Sequence, residues 1–129
     1  GLLKLHRLGS VMNKHFLALG RMKPGERNKT ETAYELELQA QQERGEILWY
    51  CFEGMTFKLA ADTRYTPDFV VLKANGELEC REIKGAKIVF QSDAKVKIKV
   101  ASEKFPIRFV AIFPIPKKLG GGWEIQDFT

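Results

Sequence analysis

"RYTPDFVVLKANGELECREIKGA", residues 64–86, sets two apolar, strand-like runs around an Asn75-Gly76 pair. Asp68 stands at the head of the first run, and Glu82 and Lys84 stand near the end of the second. Asn-Gly is the commonest signal for a tight reversal between strands. The reversal falls seven residues after Asp68 and six before Glu82. In an antiparallel hairpin the start of one strand lies beside the end of the next. The spacing therefore predicts that Asp68 and Glu82 meet across the ladder. Alternation along "ELECREIK" puts Leu78, Cys80, Glu82 and Lys84 on one face.

Acids at the ends of buried strands cost free energy unless something pairs with them. Two close carboxylates repel, and a divalent cation relieves that repulsion. Mg²⁺ takes oxygen ligands and commonly uses one or two carboxylates plus waters. Metal-bound water of lowered pKa can attack phosphorus, and Lys84 is placed to orient that water or to stabilise the charge that develops. The plain alternative is a surface ion pair between Glu82 and Lys84, which is worth little.

Upstream, "ALGRMKPGERN" reads as a loop punctuated by Gly20, Pro24 and Gly25. Asn28 then suits an N-cap, with Glu31 at the third helical position as in a capping box. The helix runs through "TETAYELELQAQQER" and stops at Gly45, with Tyr34 and Leu38 on its buried side. Glu31 falls at the amino end of that stripe. "ILWYCF" reads as a strand buried on both faces, and Met55, Phe57 and Leu59 complete a hairpin with it around Glu53-Gly54. "SDAKVKIKVASEKF" fits a helix through Ala94, Ile98, Ala101 and Phe105. It also fits an alternating strand through Val96, Ile98 and Val100. "IRFVAIF" is a strand ended by Pro114, and "GGWEIQDF" reads as a short terminal strand. Residues 2–19 place Leu5, Leu8, Met12, Phe16 and Leu19 on one helical stripe, suited to pack on the core or on a second copy of the chain. The order is that of a mixed α/β (α+β) sheet flanked by helices.

The chain of 129 residues suits one domain: a helical extension over 1–20, a core over 28–113 and a tail over 114–129. Its apolar fraction of 44% and charged fraction of 29% are those of an ordinary globular protein, with no run long enough to span a bilayer and no evident signal peptide. A cytoplasmic protein without a membrane partner is the expectation. Cys51 and Cys80 are far apart and lack any CxxC or Cys/His setting, so buried free thiols are expected and zinc is not. His6 and His15 sit in no catalytic motif and read as helix-surface residues.

The net charge of +5 suggests a polyanionic partner. Arg21, Lys23, Arg27 and Lys29 crowd the loop ahead of the capped helix, and Lys95, Lys97 and Lys99 crowd a later segment. Lys117 and Lys118 precede three glycines. Each cluster could be a solvated face. Together with carboxylates between them, they favour nucleic acid.

"TPDF" at 66–69 followed by "EIKG" at 82–85 resembles the PD-(D/E)XK nuclease superfamily. "YTPDF", the Glu-x-Lys-Gly strand and "QSDAKVKIKVASEKFP" together resemble the phage endonuclease I type of Holliday-junction resolvase. They resemble more closely still short phage and prophage proteins of unassigned function in that superfamily. The resemblance spans roughly residues 28–113. It implies a restriction-endonuclease-like core of helix, three antiparallel strands, helix and strand. It further implies a Mg²⁺-dependent DNA endonuclease, Mn²⁺ substituting, acting in a bacterial host on phage DNA, with branched DNA as one substrate. Asp68 and Glu82 would bind the metal and Lys84 would be catalytic. Glu31 matches the acid that the first helix often supplies to catalysis and metal, with Glu35 as the fallback and Gln91 as an accessory residue. The basic clusters would grip DNA, and the N-terminal stripe would build a homodimer suited to cutting paired strands. The loop after Lys84 looks slightly longer than in the resolvases, and residues before 20 match no part of the family.

Overall fold

The structure, a computed structural model, describes residues 26–86 and 92–128. The N-terminal stripe with both histidines, Arg21, Lys23 and Gln91 therefore lie outside the described residues, and so does any dimer contact built on that stripe.

Helix α1 spans Lys29–Glu43. It starts where the sequence signals it. The Asn28 side chain accepts from the Glu31 N–H at 2.8 Å, and the Asn28 N–H donates to Glu31 Oε1 at 2.9 Å. This reciprocal capping box satisfies two donors that a helix start leaves unpaired. The helix ends at Arg44, followed by Gly45 at a positive φ of 76°, where a residue without a Cβ suffers no penalty.

Seven strands follow, with α2 between the fifth and sixth: β1 (Ile47–Phe52), β2 (Phe57–Ala60), β3 (Thr63–Tyr65), β4 (Phe69–Lys73), β5 (Leu78–Ile83), α2 (Ser92–Lys104), β6 (Arg108–Pro114) and β7 (Trp123–Asp127). The main sheet has the order β1-β4-β5-β6-β7, and β2-β3 form a separate two-stranded sheet. In the main sheet β5 and β6 run parallel and every other neighbouring pair is antiparallel. The fold is mixed α+β. Helix α1 covers one face, where Tyr34 and Leu38 meet Phe69, Val71, Ile83 and Ile112. Helix α2 and the β2–β3 hairpin cover the other, where Ile98, Ala101, Phe57 and Tyr65 meet Val70, Cys80 and Phe109.

Two expectations are corrected and one open alternative is decided. Residues 47–52 and 55–59 do not pair with each other. β1 joins β4, and β2 turns back on β3, a strand the sequence reading did not identify. The alternation of Phe57 and Leu59 shows that β2 has a buried face, but period alone does not name the partner. Strand β1 is not buried on both faces: it is a sheet edge, and Leu48 is 49% exposed. The segment 92–104 is a helix. Its helical stripe is the face that packs, with Ile98 and Ala101 fully buried while Val96 is exposed.

The reversal between β4 and β5 is one residue longer than the expected two-residue turn. The Lys73 N–H donates to Glu77 O and the Gly76 N–H to Lys73 O, both at 2.9 Å, leaving Ala74, Asn75 and Gly76 in the loop. Gly76 takes the positive φ, 88°, that such a loop requires. This detail sets the register. Pairing Lys73 with Glu77 leads to Phe69 opposite Arg81, so Asp68 falls opposite Glu82 one step further on. A two-residue Asn75-Gly76 turn would have set Asp68 against Ile83.

Among the described residues no helix is long and apolar enough to cross a membrane. Cys51 and Cys80 are both free and buried, as composition suggests. Segment 114–129 is more than a tail, because β7 closes the main sheet beside β6.

Candidate active site

The end of the β4–β5 ladder and the start of α1 bring three carboxylates and one ammonium together. Asp68 sits just before β4, behind the fully buried Pro67. Its Oδ2 accepts the Ile83 N–H at 2.7 Å, so the side chain caps the ladder where backbone pairing stops. Glu82 is only 7% exposed, in the last turn of β5's alternation, and Glu31 is 8% exposed at the helix start. The Glu31 carboxyl lies against that of Asp68, close enough to share a hydrogen bond. Lys84 follows β5 and is held there by its N–H donating to Ile112 O at 2.9 Å. Its ammonium is 3.3 Å from Glu82 Oε2.

Burial and mutual repulsion dominate the electrostatics. Desolvation first, then the negative charges of Glu82 and Glu31, push the Asp68 carboxyl up to about 9. Glu82 is raised as well by burial, against the opposing pull of Lys84 and Tyr65.

Tyr65 belongs to this site and is absent from the sequence-based set. Its hydroxyl donates to Glu82 Oε1 at 2.9 Å, and burial together with that carboxylate raises its pKa far above the usual phenol. The signal for it was weak: a tyrosine two residues ahead of Pro67 gives no sign that it points inward until β3 is known.

The donors suit a hard divalent cation in kind, since they are carboxylate oxygens in a desolvated pocket with one ammonium against three acids. Their present arrangement does not. Among the described residues no group of three or more His, Cys, Asp or Glu side chains is placed to hold a metal ion. Each acid is turned to a protein partner: Glu31 to the Asn28 N–H, Asp68 to the Ile83 N–H, and Glu82 to Tyr65 and Lys84. Metal binding at this site would need at least the Glu82–Lys84 pair to open.

Glu35, the fallback helix acid, is elsewhere. It accepts from the Tyr50 hydroxyl at 2.9 Å and pairs with Arg27 at 2.5 Å. That contact also places Arg27. Its guanidinium lies over the Phe52 ring, 4.5 Å from the centroid, and is paired with Glu35. Lys29 is exposed at the first position of α1. Lys95, Lys97 and Lys99 do not make one row. With Ile98 facing the core, the helical period sends Lys95 and Lys99 to one flank and Lys97 to the other. A groove of about 620 Å³ lined by Leu78, Ser102, Phe105, Pro106, Ile107 and Arg108 lies at the opposite end of β5 and takes no part in this site.

No family model, no curated protein and no solved structure matches this chain.

Proposed function

We propose that this chain is a divalent-metal-dependent DNA endonuclease that hydrolyses phosphodiester bonds, built on a restriction-endonuclease-like core. The observation that carries the reading is the meeting of Asp68 and Glu82 across the β4–β5 ladder, with Glu31 and Lys84 beside them. The succession α1, β1, β4, β5, α2, β6 adds support. It is a helix, three antiparallel strands, a helix and a parallel strand, interrupted only by the β2–β3 hairpin.

Asp68, Glu82 and Glu31 would hold Mg²⁺ or Mn²⁺. When bound, the ion would supply a water of lowered pKa and neutralise charge on the phosphate. Lys84, once released from Glu82, would orient the attacking water or stabilise the charged transition state. Tyr65 keeps Glu82 aimed through its hydroxyl. The ladder end holds Asp68 in place, because the Ile83 N–H already fixes one of its oxygens. Branched phage DNA, such as a recombination junction, is the substrate class that the resemblance over roughly residues 28–113 favours.

One observation favours a second reading, a non-catalytic DNA-binding or assembly module on the same fold. Glu82 has one oxygen on Tyr65 and the other on Lys84, an arrangement complete without an ion. A cleavage panel of branched, single-stranded and linear DNA with and without Mn²⁺ separates the two. The enzyme cuts at least one substrate only with metal, and Glu82→Gln and Lys84→Met abolish cutting while DNA binding persists. Cutting by both variants at the parent's rate would reject the site assignment.

A further inference from the structure

The β2–β3 hairpin has two faces of opposite chemistry. Phe57, Leu59 and Tyr65 point inward and are buried, with Phe57 packed on Phe105 and Phe109 at ring-centroid distances of 4.9 and 5.2 Å. Lys58 and Arg64 point outward. They are directly opposite each other in the hairpin register, and both are exposed. Like charges directly opposed on a two-stranded ribbon destabilise it. Among the described residues neither cation has a hydrogen bond or ion pair with a carboxylate, and the hairpin's own acid, Asp62, sits at the tip between the strands. The hairpin therefore presents two directly opposed, exposed cations that an anion lying across both side chains would bridge.

The anchoring of the hairpin indicates which anion. Arg64 is one Cα step, about 3.8 Å, from Tyr65, whose hydroxyl touches Glu82. Lys104 Nζ donates to Leu59 O at 2.9 Å, and the Thr56 and Thr66 hydroxyls hydrogen-bond at 2.8 Å across the hairpin base. Lys104 thus ties β2, and Tyr65 ties β3, to the body of the protein, and the Lys58–Arg64 pair is carried on the outer face of a hairpin whose inner face reaches Glu82. We infer that Lys58 and Arg64 form a basic wing that takes backbone phosphates of the DNA whose scissile phosphate lies at Glu31, Asp68, Glu82 and Lys84. The inference rests on the nuclease reading and names a grip that none of the sequence-nominated basic clusters contains.

The test is the salt dependence of DNA binding by the full chain, measured with fluorescent duplex and branched DNA in EDTA, where no cleavage occurs. Each phosphate contact contributes about 0.9 to the slope of log affinity against log salt. The K58Q/R64Q double variant is expected to flatten that slope by about 1.8, and each single variant by about half as much. The double variant should melt no lower than the parent, because a repulsive pair has been removed. Cleavage with Mn²⁺ is followed in parallel. A flattened slope in a chain that never cuts DNA keeps the wing and rejects the nuclease. An unchanged slope in a chain that does cut rejects the wing alone. A parent chain that binds no DNA at low salt rejects both.

Discussion

Asp68 spends its one backbone-directed oxygen on the Ile83 N–H and faces Glu31 and Glu82 with the rest of its charge. Its carboxyl would titrate near 3.8 in the unfolded chain and is raised to about 9 in the folded one. Between those values the folded protein retains a proton that the unfolded chain has released. Stability from this site is therefore fully present below about pH 4 and is lost as pH rises towards 9. Each pH unit crossed removes up to about 1.4 kcal/mol. Metal-free melts of the parent should fall from pH 5 to pH 9, and Asp68→Asn, which keeps an acceptor for the Ile83 N–H, should flatten the fall. Equal pH dependence in the two proteins would show that Asp68 is not the group responsible. Glu82 and Lys84 carry a second expectation. Losing an electrostatic group that acts on the transition state commonly costs 10²–10³ in rate, so Glu82→Gln and Lys84→Met should each lower single-turnover cleavage by at least about 100-fold.

At the scale of elements, what could be read from sequence was whatever is decided locally. The capping box lies within four residues, Asn28 to Glu31, and both its hydrogen bonds are present. Gly45 and Gly76 mark a helix stop and a loop because the backbone at those positions takes a positive φ. The meeting of Asp68 and Glu82 followed from counting along one hairpin, and the extra loop residue improved their alignment. What could not be read depends on partners distant in sequence. β1 looks apolar throughout, yet nothing local says that it is an edge. β2 seeks a partner either side of it, and the choice of β3 is made by burying Tyr65 against Phe109. The lysines at 95, 97 and 99 form a row only if the segment is a strand, and the packing of Ile98 and Ala101 makes it a helix. The cap lends itself to a stability test. Asn28→Ala removes the acceptor for the Glu31 N–H and should cost about 1 kcal/mol, seen as a lower midpoint in urea at unchanged slope. An unchanged midpoint would mean that water replaces the cap without loss. The buried Arg81 is a sterner case. It binds Glu79 at 2.8 Å and the Tyr34 hydroxyl and Gln41 each at 2.9 Å, joining α1 to β5. Arg81→Met leaves Glu79 buried with a weakened set of partners, and breaking such a pair costs about 3–5 kcal/mol. Loss of that size would also loosen α1, and with it Glu31, from the site.

For the molecule as a whole, the sheet and its two helices form a frame that concentrates negative charge at one ladder end while the chain carries a net +5. A protein of that balance gains from any ligand that binds the folded state and cancels the local repulsion. A divalent cation bound there would do so by displacing the proton held at Asp68 and Glu82, so its effect would grow with pH, in the sense opposite to the metal-free trend. At pH 8, Mn²⁺ at about 100 times its dissociation constant should stabilise the fold by about 2.7 kcal/mol, a rise of several degrees in melting temperature. At pH 5 protons compete for the same oxygens and the rise should shrink. Asp68→Asn should lose most of the effect at both values. Thermal melts of parent and variant with and without Mn²⁺ at the two pH values test it directly. A shift that is absent at pH 8, or that survives intact in Asp68→Asn, would place any metal elsewhere and leave Glu82 and Lys84 as a closed ion pair serving only the fold.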